Sequence, residues 1–207
     1  MLRLYGSRAS ERIIRRCGST IRRLEERYPL PAPVLQAILY QELTQIDVFD
    51  ILADCLVQLN WLRLSLLGRL DAPLPARRGL LTKLDSSTGY AQIFAFVAID
   101  AANFALDRSL ATPEALGFPP GQRPDKARGR DLLRMWQRLQ RDRDCNLEFA
   151  ALNLLSAAEE RTGRIDFSSY TPEELKLIFT RYNGKNRAIS PYGEAVYRHY
   201  LRYRATE

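Results

Sequence analysis

Apolar residues recur at helical spacing almost from end to end of this chain, and no segment shows the period-two alternation of a half-buried strand. An all-α fold follows, of roughly eight or nine helices. Ser10 is placed to cap a first helix running to about Arg27, which Pro29, Pro31 and Pro33 end and restart. A second helix carries Val34, Leu35, Ile38 and Leu39 and breaks before a long apolar segment from Ile46 to Leu70. Asp71 to Gly79, with Pro73 and Pro75, reads as a loop, and Ser86 to Gly89 as a turn leading into an apolar helix from Tyr90 to Leu106. Ala111 to Arg130, with four prolines and three glycines, reads as an irregular excursion. Helices then follow at about 131–142 and 145–161, one opened by Thr171-Pro172 with Glu173 and Glu174 in its first turn, and a last one after Ser190-Pro191.

With 207 residues, 46% hydrophobic and 27% charged, the chain forms one folded domain or at most two small ones, and needs no metal or disulfide to hold a core. Its charge is the unusual part: 31 basic against 24 acidic residues, a net +7, nearly all of it arginine. The first thirty residues alone carry eight arginines against three glutamates, and further blocks lie at Arg123–Arg143 and Arg181–Arg204. Such blocks are either solvated faces of amphipathic helices or an attraction for a polyanion, a nucleic acid or an anionic cell-wall polymer.

Cys17, Cys55 and Cys145 are odd in number and widely spaced, which argues against a zinc site or a disulfide framework and for small buried residues. His199 is the sole histidine, so a His-dependent triad would have to pass through Arg198-His199-Tyr200 near the terminus; a packing or surface role is the stronger reading. No metal or cofactor is implied. No run is apolar enough for a signal peptide or a membrane span, so the chain is expected to be made in the cytoplasm without an export tag and without membrane insertion.

Three segments carry polar residues where apolar ones are expected. Glu42 follows Leu35, Ile38 and Leu39 by seven, four and three residues, on the same helical stripe. A carboxyl held there incurs a desolvation cost that favours its neutral form, the form a general acid needs; at a frayed helix end its head would instead be in water. Ser87-Thr88-Gly89-Tyr90-Ala91-Gln92-Ile93 combines a cap, a Gly where backbone approaches closely and a Gln one turn into an apolar helix, suiting either a ligand contact or a structural bond. Tyr182-Asn183-Gly184 reads as a helix C-cap, with Tyr192, Tyr197 and Tyr200 nearby, suited to sugar faces or to ordinary packing.

In chain order these elements resemble the lysozyme superfamily as represented by soluble lytic transglycosylases and goose-type lysozymes. Glu42 in Ile38-Leu39-Tyr40-Gln41-Glu42 sits where that family places its catalytic acid. Gly89-Tyr90-Ala91-Gln92-Ile93 is similar to the family's Gly-Leu-Met-Gln-Ile, and Asn146-Leu147-Glu148-Phe149-Ala150 to its Asn-Ile-x-x-Gly. Tyr182-Asn183-Gly184, followed by Tyr192 and the Val196-Tyr197 helix, resembles the Tyr-Asn-Ala-Gly motif. The resemblance covers about residues 31 to 203. It departs at Leu43, where the family has Ser, and over 46–80, which look like an inserted helix and loop. It implies a lysozyme-like catalytic domain over 31–207, preceded by an Arg-rich helix over 1–30.

The activity so implied is cleavage of the β-1,4 bond between N-acetylmuramic acid and N-acetylglucosamine in peptidoglycan. Glu42 would be the general acid, and Ser87, Gly89, Gln92, Asn146, Tyr182 and Asn183 would bind substrate. A transglycosylase needs no other carboxyl, because the muramyl 6-hydroxyl attacks. An inverting hydrolase needs a second carboxylate about 6.5 to 9.5 Å from the first, for which Asp47, Asp50, Asp54 and Asp85 are the candidates. A wall substrate without an export tag implies a secreted antibacterial effector, met by a cognate inhibitor protein, or a phage-type lysis enzyme acting in the periplasm or wall. The competing expectations are a basic helical nucleic-acid-binding protein and an inactive lysozyme-like adaptor.

Overall fold

A computed structural model describes residues 3–71 and 83–206. Among them the secondary structure is all-α. The elements are α1 (Ser7–Arg16), α2 (Gly18–Arg27), α3 (Ala32–Gln45), α4 (Val48–Leu66), α5 (Ala95–Asp107), α6 (Gly129–Arg141), α7 (Arg143–Thr162), a 3-10 turn (Phe167–Ser169), α8 (Pro172–Asn183) and α9 (Pro191–Arg204). The loop expected over Asp71 to Gly79 lies, beyond Asp71, outside the described residues.

Two compact units divide the chain, one containing Asp47–Phe149 and the other Arg3–Ile46 with Ala150–Glu207. The Arg-rich opening belongs to the second unit, where α1 and α2 both pack on α3. Glu11 on α1 ties it down: it receives the Arg202 guanidinium at 2.6 Å and the Tyr203 hydroxyl at 3.1 Å, both from α9. Arg202 also lies 4.2 Å from the Tyr40 ring centroid, a cation held over a π face.

Strong local signals became the expected elements. Thr171 caps α8 in a reciprocal capping box with Glu174, and Ser190 caps α9 through the Gly193 amide at 3.2 Å. Two local readings are corrected. Ser10 is not a cap: the opening helix starts at Ser7 and is broken at Cys17, while the fully buried Ser10 hydroxyl donates back to the Gly6 carbonyl at 3.3 Å. Tyr90–Phe94 is not helical; a turn closed by a Thr88–Ile93 bridge precedes α5, so Gln92 sits in the turn with φ +45°. Gly184 is the C-cap of α8, as expected, and holds extended backbone at φ 176°.

The second unit buries α3 on nearly every side, with Leu35, Ile38, Leu39 and Leu43 each at 1% exposure or less. Its partners include α9, which also packs on α8. An added Cβ at Gly193 would stand 2.2 Å from Thr180 Oγ1 and 2.5 Å from the Lys176 carbonyl, so α9 can approach α8 this closely only because that position is Gly. The first unit is built on Trp61, Ile99, Leu132, Met135, Trp136 and Phe149. Cys17 and Cys145 are buried as expected, and burial pushes the Cys145 thiol up to about 12; Cys55 is exposed instead. His199 packs against Tyr40 with the rings tilted by 58° and their centroids 4.6 Å apart, a packing role.

Candidate functional site

Within the second unit, Glu42 lies in the last turn of α3, 8% exposed, so the choice between buried and frayed is settled for burial. The helix continues past it to Gln45, and its carbonyl accepts the Ile46 amide at 3.1 Å. Its carboxyl is not left to apolar neighbours alone: the Tyr192 hydroxyl donates to Oε1. Tyr192 reaches it because Ser190 starts α9 one residue before Pro191, while Thr180 Oγ1 receives the Ser190 amide at 3.0 Å and anchors that start to α8. Burial, together with the negative charge of Glu42, holds the phenols of Tyr182 and Tyr192 well above the ordinary tyrosine range. Both phenols therefore stay protonated donors at every working pH. The cluster is one buried carboxyl with two tyrosines around it. Asn183, one residue on, is exposed at the end of α8.

Sequence reasoning placed Tyr182 beside Glu42 only through the resemblance, and did not number Tyr192 among the site residues. The signal for Tyr192 was present in Ser190-Pro191, a helix start that puts residue 192 in the first turn.

Within the first unit, Gly89, Gln92 and Asn146 come together, but around backbone. Asn146 is 1% exposed, its amide oxygen accepts the Ala91 amide at 2.9 Å, and its Nδ2 donates to the Thr88 carbonyl at 2.9 Å. The side chain thus brackets the 88–92 turn with both of its polar atoms. Gln92 Nε2 donates to the Gly89 carbonyl at 2.8 Å, and Ser87 is half-buried just before the turn.

Asp47, Asp50 and Asp85, the candidates for a second catalytic carboxylate, each accept backbone amides at a helix start. Asp47 and Asp50 form the capping box of α4: Asp47 Oδ1 accepts the Phe49 amide at 2.7 Å, and Asp50 Oδ2 accepts the Asp47 amide at 2.9 Å. Asp85 accepts the Ala95 and Phe96 amides at 3.0 and 2.9 Å, capping α5 from ten residues upstream. These are helix N-termini holding structural anions.

Asp54 organises a further network that sequence reasoning did not find. It accepts the Ser86 hydroxyl at 2.6 Å and the Thr88 hydroxyl at 3.0 Å, while Trp136 Nε1 donates to Ser86 Oγ at 3.0 Å. Burial raises the Asp54 carboxyl above its ordinary value, against the lowering effect of Ser86 and Thr88. The native chain then takes up this proton more readily than the unfolded chain. Asp54 therefore favours the fold most at low pH, and that contribution is lost as pH rises through its raised value. Asp54→Ala strands both hydroxyls and is expected to cost about 2 kcal/mol in urea unfolding at neutral pH; a loss under about 0.5 kcal/mol would show the network to be incidental.

Among the described residues no group of three or more His, Cys, Asp or Glu could hold a metal ion, and no helix is long and apolar enough to cross a membrane. No family model, curated protein or solved structure matches the chain.

Proposed function

We propose that the chain is a peptidoglycan-cleaving glycosidase with a lysozyme-like catalytic domain, acting on the β-1,4 MurNAc-GlcNAc bond. The observation that carries this reading is the buried Glu42 carboxyl with the Tyr192 hydroxyl on its Oε1. A glycosidic oxygen leaves only when protonated, and a carboxyl shielded from water but hydrogen-bonded by a neutral phenol suits that transfer. Tyr192 keeps the carboxyl in one orientation and steadies the carboxylate left after the proton departs. Tyr182 and Asn183 are the residues proposed to position the sugar beside Glu42, and Asn146 to shape the 88–92 turn that carries Gln92.

The chemistry proposed is that of a lytic transglycosylase. Asp47, Asp50 and Asp85 are committed to helix caps, which favours a route that uses one carboxyl twice. Glu42 donates its proton to the leaving oxygen; the muramyl 6-hydroxyl then bonds to C1 as its proton passes to the Glu42 carboxylate, closing an anhydro ring. Mass analysis of fragments from purified sacculi tests this: anhydro-muramyl ends support it, and reducing ends would assign hydrolysis instead. Intact sacculi would remove the enzymatic claim. A net +7 suits an anionic wall polymer. A role as a delivered antibacterial effector with a cognate inhibitor, which the resemblance suggested, would show as toxicity only when the chain is directed to the periplasm.

Tyr192→Phe keeps the ring and removes the donor. It is expected to lower kcat by about ten- to a hundred-fold, with KM little changed, because a hydrogen bond to a charged group contributes about 1.5–3 kcal/mol. With that donor gone the carboxylate form is disfavoured, so the alkaline limb of the pH–rate profile, where the acid loses its proton, should move to higher pH. A variant with unchanged kcat and profile would reduce Tyr192 to packing.

A further inference from the structure

Of the eleven large apolar side chains exposed among the described residues, eight lie between Val48 and Leu67, with Phe49 at 67% and Leu66 at 80%. Their order is not random. Val48, Leu52, Cys55, Leu59, Leu62 and Leu66 are all exposed and follow one another at intervals of four, three, four, three and four. At about 100° per residue they fall on one side of α4, directly opposite Val57 and Trp61, which are buried at 0% and 2%. α4 therefore carries two apolar seams. The inward one is filled by its own unit, and the outward one has the spacing of helices that pair along their length.

We propose that this outward seam is where a second copy of the chain docks, α4 against α4 in antiparallel orientation. A two-fold contact puts the same surface on both sides, so its pattern must read alike in both directions. The seam does: antiparallel pairing sets Val48 against Leu66 of the second copy, Leu52 against Leu62 and Cys55 against Leu59, with none left over. The flanks obey the same symmetry. Phe49 meets Arg63 of the second copy, a cation over an aromatic face, and Leu56 meets Leu56. On the other flank Gln58 meets Gln58, and Ile51 meets Ser65 at the mouth of a 220 Å³ pocket formed with Trp61, Leu62, Leu133 and Trp136.

Charge selects the direction. Asp47 and Asp50 sit at the start of α4 and Arg63 in its last turn, so the antiparallel pair brings acidic ends and helix N-termini beside basic ends and C-termini. A parallel pair would gather like ends. The helix carries Asp50 and Asp54 against Arg63 alone, so it has no electrostatic attraction for an anionic membrane surface. The pairing does not depend on the glycosidase reading.

Light scattering on the full chain at about 100 µM should give twice the 23.8 kDa of one chain. Leu59→Glu/Leu62→Glu changes only exposed positions, so helical circular dichroism is kept while the mass falls to that of one chain, with dissociation at least about 100-fold easier. Leu59→Cys treated with diamide, which takes two electrons and two protons from a thiol pair, should give a covalent dimer through Cys55 and the introduced thiol. Cys55→Ser/Leu59→Cys should not. A monomeric wild type, a dimer indifferent to the double substitution, or a covalent dimer formed by the wild type through Cys55 alone would each overturn the proposal. Cosedimentation of single chains with phosphatidylcholine–phosphatidylglycerol vesicles would assign the face to a membrane, and would overturn it too.

Discussion

Glu42→Gln is expected to abolish release of glycan fragments from purified sacculi, with a rate loss of at least about 10²- to 10⁴-fold, the contribution of a positioned general acid. The substitution keeps the volume and the planar head of the side chain. An amide oxygen still accepts the Tyr192 hydroxyl that now rests on Oε1, so the α3–α8–α9 packing loses little. What disappears is the proton that must reach the glycosidic oxygen. The expected signature is therefore a collapse of kcat with the melting temperature within a few degrees of wild type, measured on the same preparation. Retention of a tenth or more of the activity would place the acid elsewhere. A large fall in melting temperature would instead make Glu42 a structural carboxylate, and the proposed chemistry would lose its centre.

Gly89→Ala should be among the most destabilising single-atom changes the chain can suffer, at about 3–4 kcal/mol. Two effects add. The residue has φ +72°, a region that costs an L side chain about 1–2 kcal/mol. The new Cβ would also stand 2.2 Å from Asn146 Nδ2 and 2.7 Å from the Leu139 carbonyl. The carbonyl belongs to α6 and cannot yield, so Asn146 must, and it holds both the Thr88 carbonyl and the Ala91 amide. Overpacking of this kind costs about 1–3 kcal/mol before any hydrogen bond is counted. Gly163→Ala is the control: its φ is +74° but nothing lies within 4 Å of an added Cβ, so about 1 kcal/mol is expected. Urea unfolding of the two variants should differ by at least about 2 kcal/mol; equal losses would show that Asn146 does not brace the turn.

Much of the fold was legible because its signals are local. Thr171-Pro172 with Glu174, and Ser190-Pro191, mark helix starts through contacts within four residues, and both became capped helices. Apolar spacing located α3 and the stripe on which Glu42 falls. Where a local signal had a local competitor the reading failed. Ser10 could cap or bond back to Gly6, and the buried interior of α1 selected the second. The apolar stretch around Gln92 has helical composition, yet a cross-turn bridge and the Asn146 bracket hold it as a turn.

The carboxylates show the limit most sharply. Asp47, Asp50, Asp54 and Asp85 are chemically alike, and each was a candidate for the base that the hydrolase implied by the resemblance would need. Packing distributed them: two to the start of α4, one to the start of α5, and Asp54 to Ser86 and Thr88, which are 32 and 34 residues away. Glu42 met its partner across 150 residues. Sequence by itself determined most of the helices, the Thr171 and Ser190 starts of α8 and α9 and that a carboxyl sits on an apolar stripe, because propensity and periodicity act over one or two turns. Only tertiary structure decided which of five carboxyls meet hydroxyls, Glu42 that of Tyr192 and Asp54 those of Ser86 and Thr88, and which are bound by helix amides. A buried polar group must find a partner within about 3 Å, and the partners within that reach are chosen by how the helices pack rather than by their order in the chain.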